Sequence, residues 1–222
     1  MYKSTVKNGY SEPEERINVI THGIGFLFSL TALFLLIGST VHQGPLRNTI
    51  SAAVFGVSLV LLYGVSASYH YSKEPKVRNK LHILDHAAIY VLIAGTYTPF
   101  TLITLNSRLG WTLFSVSWSM ALIGIFLKLF FTGRFTVFST VMYVLMGWII
   151  IFAIKPLYHT LPLPGTAWLI AGGIAYTIGA IVYSIKKIKF NHAIFHILVL
   201  IGSGSHFISI YFYVLATAAP NK

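Results

Sequence analysis

The sequence predicts an all-α integral membrane protein: a bundle of seven transmembrane helices with the N-terminus cytoplasmic and the C-terminus outside. Three observations predict it. Of 222 residues, 55% are hydrophobic and only 9% are charged, against about 25% charged in a soluble domain. Apolar runs long enough to cross a hydrocarbon core of about 30 Å recur along the chain. Lys and Arg fall in short clusters between those runs, the pattern that orients membrane proteins.

The expected spans are 19–41, 49–72, 81–105, 110–131, 135–154, 165–185 and 192–215. Each is long enough to cross the core at about 1.5 Å per residue. Runs this long do not fit the alternating strands of about ten residues that build a lipid-facing barrel. The connections are short, so residues 1–222 form a single domain. Ahead of span 1, residues 1–18 form a cytoplasmic segment in which Ser11-Glu12-Pro13-Glu14 reads as a capping box: Ser11 caps and Glu14 reaches back. Either a short interfacial helix starts at Glu12, or this is a charged lead-in that aids orientation. The first twenty residues are polar and run straight into a full-length span, so no signal peptide is expected.

Span 2 closes on Ser66-Ala67-Ser68-Tyr69-His70. Span 3 carries Asp85 about one turn in, and Pro99 should kink it, because proline lacks an amide hydrogen and clashes with the preceding turn. The freed carbonyl needs a partner, such as Thr96, Thr98 or a water. Span 4 holds Lys128 near its inner end, within snorkelling reach of the headgroups. Trp111 and Trp168, at the outer ends of spans 4 and 6, fit an aromatic belt. In span 7, Gly202-Ser203-Gly204-Ser205 allows close helix approach or a bend.

Orientation follows from the basic residues. With the N-terminus inside, the inner side holds Lys3, Lys7, Arg16, Lys73, Lys76, Arg78, Lys80, Lys128, Arg134, Lys186, Lys187 and Lys189. The outer side holds Arg47, Arg108, Lys155 and Lys222. That is a clear positive-inside bias. The net charge of +11 therefore belongs to anionic lipid headgroups and not to nucleic acid. The chain has no Cys, which excludes disulfides and thiolate metal sites.

Alternating helix direction then gathers the chemistry. The end of span 2 and the starts of spans 3 and 7 share one depth near the inner face, so topology alone delivers Ser66, His70, Asp85, His192 and His196 to one layer. His192 and His196 stand at i and i+4, on one helix face, where two imidazoles can grip one metal ion. Asp85 is the only Asp in the chain. A carboxylate at the bilayer centre costs about 2.5–3.5 kcal/mol on insertion scales, so it needs a partner such as a bound cation. Three neutral imidazoles plus a water make an open zinc site, and zinc brings the pKa of its water to about 7. Iron and manganese remain alternative metals, although neutral nitrogen ligands with one open position suit zinc. Asp85 can hold that water and take its proton. Ser66, on the same face as His70, can donate a hydrogen bond to a carbonyl oxygen turning anionic. Together these are the parts of a hydrolase for an amide or ester, its substrate entering from lipid or from the inner leaflet. By itself, a serine at position 66 is more often a small packing residue or a back-bonded hydroxyl than a catalyst.

Other histidines carry weaker signals. His82 and His86 repeat the i, i+4 spacing around Asp85, but no second helix offers them a ligand. His82 is read as interfacial and His86 as hydrogen-bonded in the bundle or supporting the site. His206 lies about 15 Å along the helix from His196, too far for the same metal. It is read as a buried, hydrogen-bonded residue that can line the cavity's outer end. His22 is read as making a structural hydrogen bond to the N-terminal helix. His42 and His159 are read as facing solvent in outer loops.

The chain resembles the progestin and adipoQ receptor (PAQR) superfamily, in its bacterial hemolysin III branch. The residues that carry the resemblance are Glu14-Glu15-Arg16-Ile17-Asn18-Val19-Ile20-Thr21-His22-Gly23; Ser66 and His70 in an S-x-x-x-H arrangement; Leu84-Asp85-His86-Ala87-Ala88-Ile89-Tyr90; Ile93-Ala94-Gly95-Thr96-Tyr97-Thr98-Pro99; and His192-Ala193-Ile194-Phe195-His196, with His206-Phe207 following. All occur in order over nearly the whole chain. The resemblance implies a plasma-membrane protein of seven helices, with zinc on His70, His192 and His196, Asp85 reaching it through water, and Ser66 nearby. It also implies lipid amide hydrolysis, as in the alkaline ceramidases of the wider superfamily, and a part in membrane-lipid homeostasis. Two alternatives stay open: a non-catalytic homeostasis or sensor protein whose zinc is structural, and a membrane-permeabilising, cytolytic factor as the branch name suggests.

Overall fold

The computed structural model describes residues 10–42, 44–131 and 136–217. The described chain is helical without strands, and seven of its helical stretches are long and apolar enough to cross a membrane. The protein is a multi-pass membrane protein. Lys3, Lys7, Arg134 and Lys222, four of the residues used for orientation, lie outside the described residues, as does the expected start of span 5 at 135.

Span 1 is one helix, α1 (Glu12–Gly38). A helix does start at Glu12, but it runs unbroken into the membrane, so there is no separate interfacial helix. Pro13 falls in the first turn, where its missing N–H costs nothing, and Glu12, Glu14 and Glu15 suit the positive end of the helix dipole. The capping box does not form. Ser11 has extended backbone but caps with no side-chain hydrogen bond, and Glu14 is buried instead of reaching back. Glu12 pairs with Arg16 at 2.7 Å, one turn on.

Span 2 is α2 (Leu46–Tyr71). Span 3 begins earlier than expected, as α3 (Pro75–Pro99), because Glu74 caps it, accepting hydrogen bonds from the Lys76 and Val77 amides at 3.1 and 2.6 Å. Pro99 does not end the span. The helix widens at once into a π-helical stretch, Phe100–Leu105, which Asn106 closes with a positive φ of 36°. Pro99 removes the N–H that would have met the Gly95 carbonyl, and the wider winding carries the span past that gap. The nearby hydroxyls serve other carbonyls: Thr96 donates to Leu92 and Thr98 to Ala94.

Span 4 is α4 (Arg108–Phe130). Span 5 differs most from expectation. It comprises α5 (Thr136–Gly147), a 3₁₀ stretch (Ile149–Ala153) and α6 (Ile154–Thr160). Lys155 and His159 therefore sit on a helix and not in a loop, although His159 is exposed as expected. Pro156 falls in the first turn of α6, where a helix tolerates it. The Tyr97 hydroxyl spans the break, donating to the Gly147 carbonyl at 2.8 Å and accepting from the Ile150 amide at 3.0 Å. Spans 6 and 7 are α7 (Leu163–Ser184) and α8 (Asn191–Ser209), the latter prolonged by a π-helical stretch (Ile210–Val214) and a last turn, α9 (Leu215–Thr217).

The faces divide as a bilayer requires. Phe34 is 77% exposed on the lipid side, whereas Phe55, Tyr90 and Leu36 are fully buried. Polar groups that lipid would not tolerate turn inward or bond to backbone. Trp111 and Trp168 stay exposed, as a belt needs, while Trp118 and Trp148 donate to Thr98 and Thr177. In the Gly-Ser-Gly-Ser stretch, Gly202 is where helices meet closely: a Cβ there would lie 2.9 Å from the Tyr176 ring.

Candidate metal centre

Helix direction alternates, so the end of α2 and the starts of α1, α3 and α8 meet at one end of the bundle, the end expected from the basic residues to be inner. His70 is the penultimate residue of α2. Phe190, in a left-handed conformation with φ 58°, turns the chain into α8. His192 therefore falls in that helix's first turn and His196 in its second. All three imidazoles are buried.

Their ligand atoms converge. The Nε2 atoms of His192 and His70 are 3.1 Å apart, and those of His196 and His192 are 3.0 Å apart. Two nitrogens each bound at 2.0–2.1 Å to a tetrahedral zinc stand roughly 3.3 Å apart, so the spacing is close to that of a filled site. Among the described residues, these three form the group whose ligand atoms all lie within 4.8 Å of one another. The donor chemistry fits a metal as well. The Nδ1 of His70 lies 2.6 Å from a Glu15 carboxylate oxygen. With the proton on Nδ1, Nε2 presents its lone pair to the centre, the arrangement common to metal-binding histidines. No metal identity follows from this geometry.

Glu15 is itself held. Arg78, from the first turn of α3, pairs with its other oxygen and also donates to the Tyr69 and Ser72 carbonyls at the end of α2, both at 3.1 Å. One guanidinium thus caps α2 and fixes the carboxylate that fixes His70. Sequence reasoning missed both residues. Glu15 was noticed only within the opening signature, and Arg78 only as an orienting charge. The available signal was an acid in the first turn of one span and a base in the first turn of another, both placed by topology at the depth of His70.

Ser66 and Asp85 are buried beside this centre. Both line a cavity of about 180 Å³ together with His192, His196 and residues of spans 3, 5 and 6. Asp85 stands outside the group of mutually close ligand atoms. The Ser66 hydroxyl is buried within reach of the Asp85 carboxylate, without a well-formed hydrogen bond. Lys128, expected to snorkel outward, is instead buried and lines the same cavity.

The remaining histidines sort differently. His86 Nδ1 donates to the His82 carbonyl at 2.9 Å, and its ring meets His82 edge-on at 4.5 Å. His86 bonds back to its own helix and neither ring joins the group of ligand atoms, although His86 lines the cavity with its Nδ1 4.0 Å from an Asp85 oxygen. His206 donates from Nε2 to the Leu169 carbonyl at 3.1 Å and lines the cavity. His22 departs from expectation. It makes no well-formed hydrogen bond and has only the His196 backbone within reach. Its ring lies flat on that of His196, 3.5 Å between centroids and 9° between planes. With the N-terminal acids drawn into a continuous α1, no separate helix remains for it to bond. Tyr10, just ahead of α1, stacks on His192 at 4.5 Å and 14°. Burial pushes the Tyr10 phenol well above its usual range, so the ring stays neutral.

Comparison with known proteins agrees with this architecture. A family model described as haemolysin-III related matches residues 10–207. The chain is 50% identical over 206 residues to hemolysin-3 of Bacillus cereus, covering 93% of this chain and 94% of that one. It is 49% identical over 200 residues to a hemolysin-3 homolog of Bacillus subtilis (strain 168), covering 90% and 94%. At a greater distance, it is 27% identical over 201 residues to the human monocyte to macrophage differentiation factor, covering 83% and 82%. The chain belongs to the haemolysin-III-related family, within the progestin and adipoQ receptor superfamily.

Proposed function

We propose that this protein is a zinc-dependent hydrolase of lipid amide or ester bonds, ceramidase-like in chemistry and acting in membrane-lipid homeostasis. The observation that carries the reading is the division of labour at the centre. Three buried imidazoles converge, while the lone aspartate lies outside their ligand group and lines the adjoining apolar cavity. A closed structural zinc needs four protein ligands, and Asp85 is the natural fourth. Its separation from the ligand group supports an open fourth position.

His70, His192 and His196 would hold the zinc ion, which would supply Lewis-acid activation of water. Asp85, a single carboxylate in an apolar wall, takes the proton and later returns it to the leaving group. Ser66 offers its hydroxyl to the oxygen of the scissile carbonyl as that oxygen gains charge. Isoleucines and aromatic residues lining the cavity take the acyl chain and exclude water from it. Glu15 keeps the His70 lone pair aimed inward.

The test is release of fatty acid from a membrane-lipid extract by purified protein. Wild type releases it. Asp85→Asn retains its metal but slows release about 10²–10⁴-fold, the usual contribution of a general base. If wild type releases nothing, or if Asp85→Asn matches it, the hydrolase reading is wrong. The name hemolysin-3 carried by the Bacillus cereus relative motivates a second reading, direct permeabilisation of membranes. Equal marker release from liposomes by wild type and His192→Ala would favour it.

A further inference from the structure

The three imidazoles are not held in the same way. The ring of His70 is fixed by a hydrogen bond from Nδ1 to Glu15. The Nδ1 of His192 is buried without a hydrogen-bond partner, and that of His196 has only the Asn18 backbone within reach, without good hydrogen-bond geometry. A metal-binding histidine ordinarily donates its second nitrogen to a carboxylate, carbonyl or water, which sets ring rotation and basicity. Neither ring has a short, well-aligned partner like the one Glu15 gives His70, so something else must keep these rings from turning about χ2.

Each has a ring stacked on its face. His22 lies on His196 at 3.5 Å and 9°, and Tyr10 on His192 at 4.5 Å and 14°. The other aromatic neighbours of His192, Tyr183 and Phe195, meet it tilted at 52° and 34°, so Tyr10 is the ring most nearly parallel to it. His22 is braced in turn. Tyr63 meets it edge-on at 5.1 Å and 90°, and the Tyr63 hydroxyl donates to Ser203 at 2.7 Å. Gly25, one turn after His22, makes room: a Cβ there would lie 2.6 Å from the Tyr63 ring. A buried imidazole without a well-formed hydrogen bond is costly to keep, and His22 has only the His196 backbone within reach. What accounts for His22 is its flat contact with a ligand.

We propose that Tyr10 and His22 are positioning residues of the metal centre, holding the rings of His192 and His196 by stacking where no carboxylate does so. With Glu15, they make α1 and the residue pair ahead of it the element that orients all three ligands while supplying none. This rests on the metal-binding reading above, though not on turnover.

The experiment titrates purified, metal-free protein in detergent with Co²⁺ alone. It follows the visible ligand-field absorption and measures affinity by competition with a chromophoric chelator. Tyr10→Ala and His22→Ala each weaken binding by about tenfold, as loss of a supporting residue does, and change the intensity and position of the absorption bands. Tyr10→Phe and His22→Phe keep a flat ring in place and return both affinity and spectrum close to wild type. Loss of metal by His22→Phe as severe as that caused by His196→Ala would make His22 a ligand and overturn the proposal. So would alanine variants with wild-type affinity and spectrum. Failure of wild type to bind Co²⁺ removes the metal centre itself. Wild-type binding without lipid hydrolysis removes only the hydrolase reading.

Discussion

Two pairs of histidines in this chain have the same spacing and opposite fates. His192 and His196, at i and i+4 in α8, bring their Nε2 atoms to 3.0 Å, with a third imidazole from α2 closing the set. His82 and His86, at i and i+4 in α3, meet edge-on at 4.5 Å, and His86 spends its Nδ1 proton on its own helix. The spacing puts two rings on one face in both cases. What separates them is the neighbouring helix. The face of α8 looks onto the end of α2, where His70 arrives with its lone pair turned inward by Glu15. The face of α3 that carries His82 and His86 meets Tyr69 and Tyr143, neither of which completes a set with them. A pair becomes a site only when a second helix supplies the third donor.

Substitution of each pair tests that distinction most severely. His192→Ala and His196→Ala each leave two imidazoles, and His70→Ala leaves only the pair on α8. All three should reduce bound zinc from about one per chain to background in metal analysis of purified protein. His82→Ala and His86→Ala should keep the full complement. Metal loss in the α3 variants equal to that in the α8 variants would erase the distinction.

A smaller effect is expected one step out. Glu15→Gln removes the carboxylate that sets the His70 tautomer, and zinc affinity should fall about 10–100-fold, measured by chelator competition. Arg78→Gln acts through the same carboxylate and also uncaps α2, so it should weaken zinc binding too. The double variant should fall well short of the sum, since the two residues act in one chain of contacts. Simple additivity would mean that Arg78 acts elsewhere.

Much of this was legible in the sequence. The seven spans follow from hydropathy and length, and the co-location of His70, Asp85, His192 and His196 follows from alternating direction alone. The parts that were not legible share a physical cause. The early starts of α1 and α3 come from polar first turns, whose stabilisation by helix dipole and cap is invisible to hydropathy. Span 5 runs on to Thr160 because a proline in a first turn does not stop a helix. The stacking of His22 and Tyr10 depends on the rotation of α1 against α8, and periodicity within one helix carries no information about that angle. Lys128 was misjudged for the same reason: depth is readable from position in the span, but facing is not.

The smallest expected effect lies at the start of α3, the helix that carries the unfilled pair. Glu74 accepts hydrogen bonds from the Val77 and Lys76 amides, and those amides hold its carboxyl below the ordinary value of 4.5. The charged form is thus favoured in the folded helix. Its stabilising contribution is present above pH 4.5 and fades as pH falls through the lowered folded value, where the carboxylate takes up a proton. Glu74→Gln should therefore lower the thermal midpoint slightly near neutrality, and the difference from wild type should vanish in acid. Because Glu74 is exposed and its carboxylate is engaged by the Lys76 and Val77 amides and not by any of the three imidazoles, zinc content should not change. A change in zinc content would mean that the cap positions Arg78, four residues on, and through it Glu15 and His70, so that α3 supports the candidate site through its first turn while its own histidine pair takes no part in it.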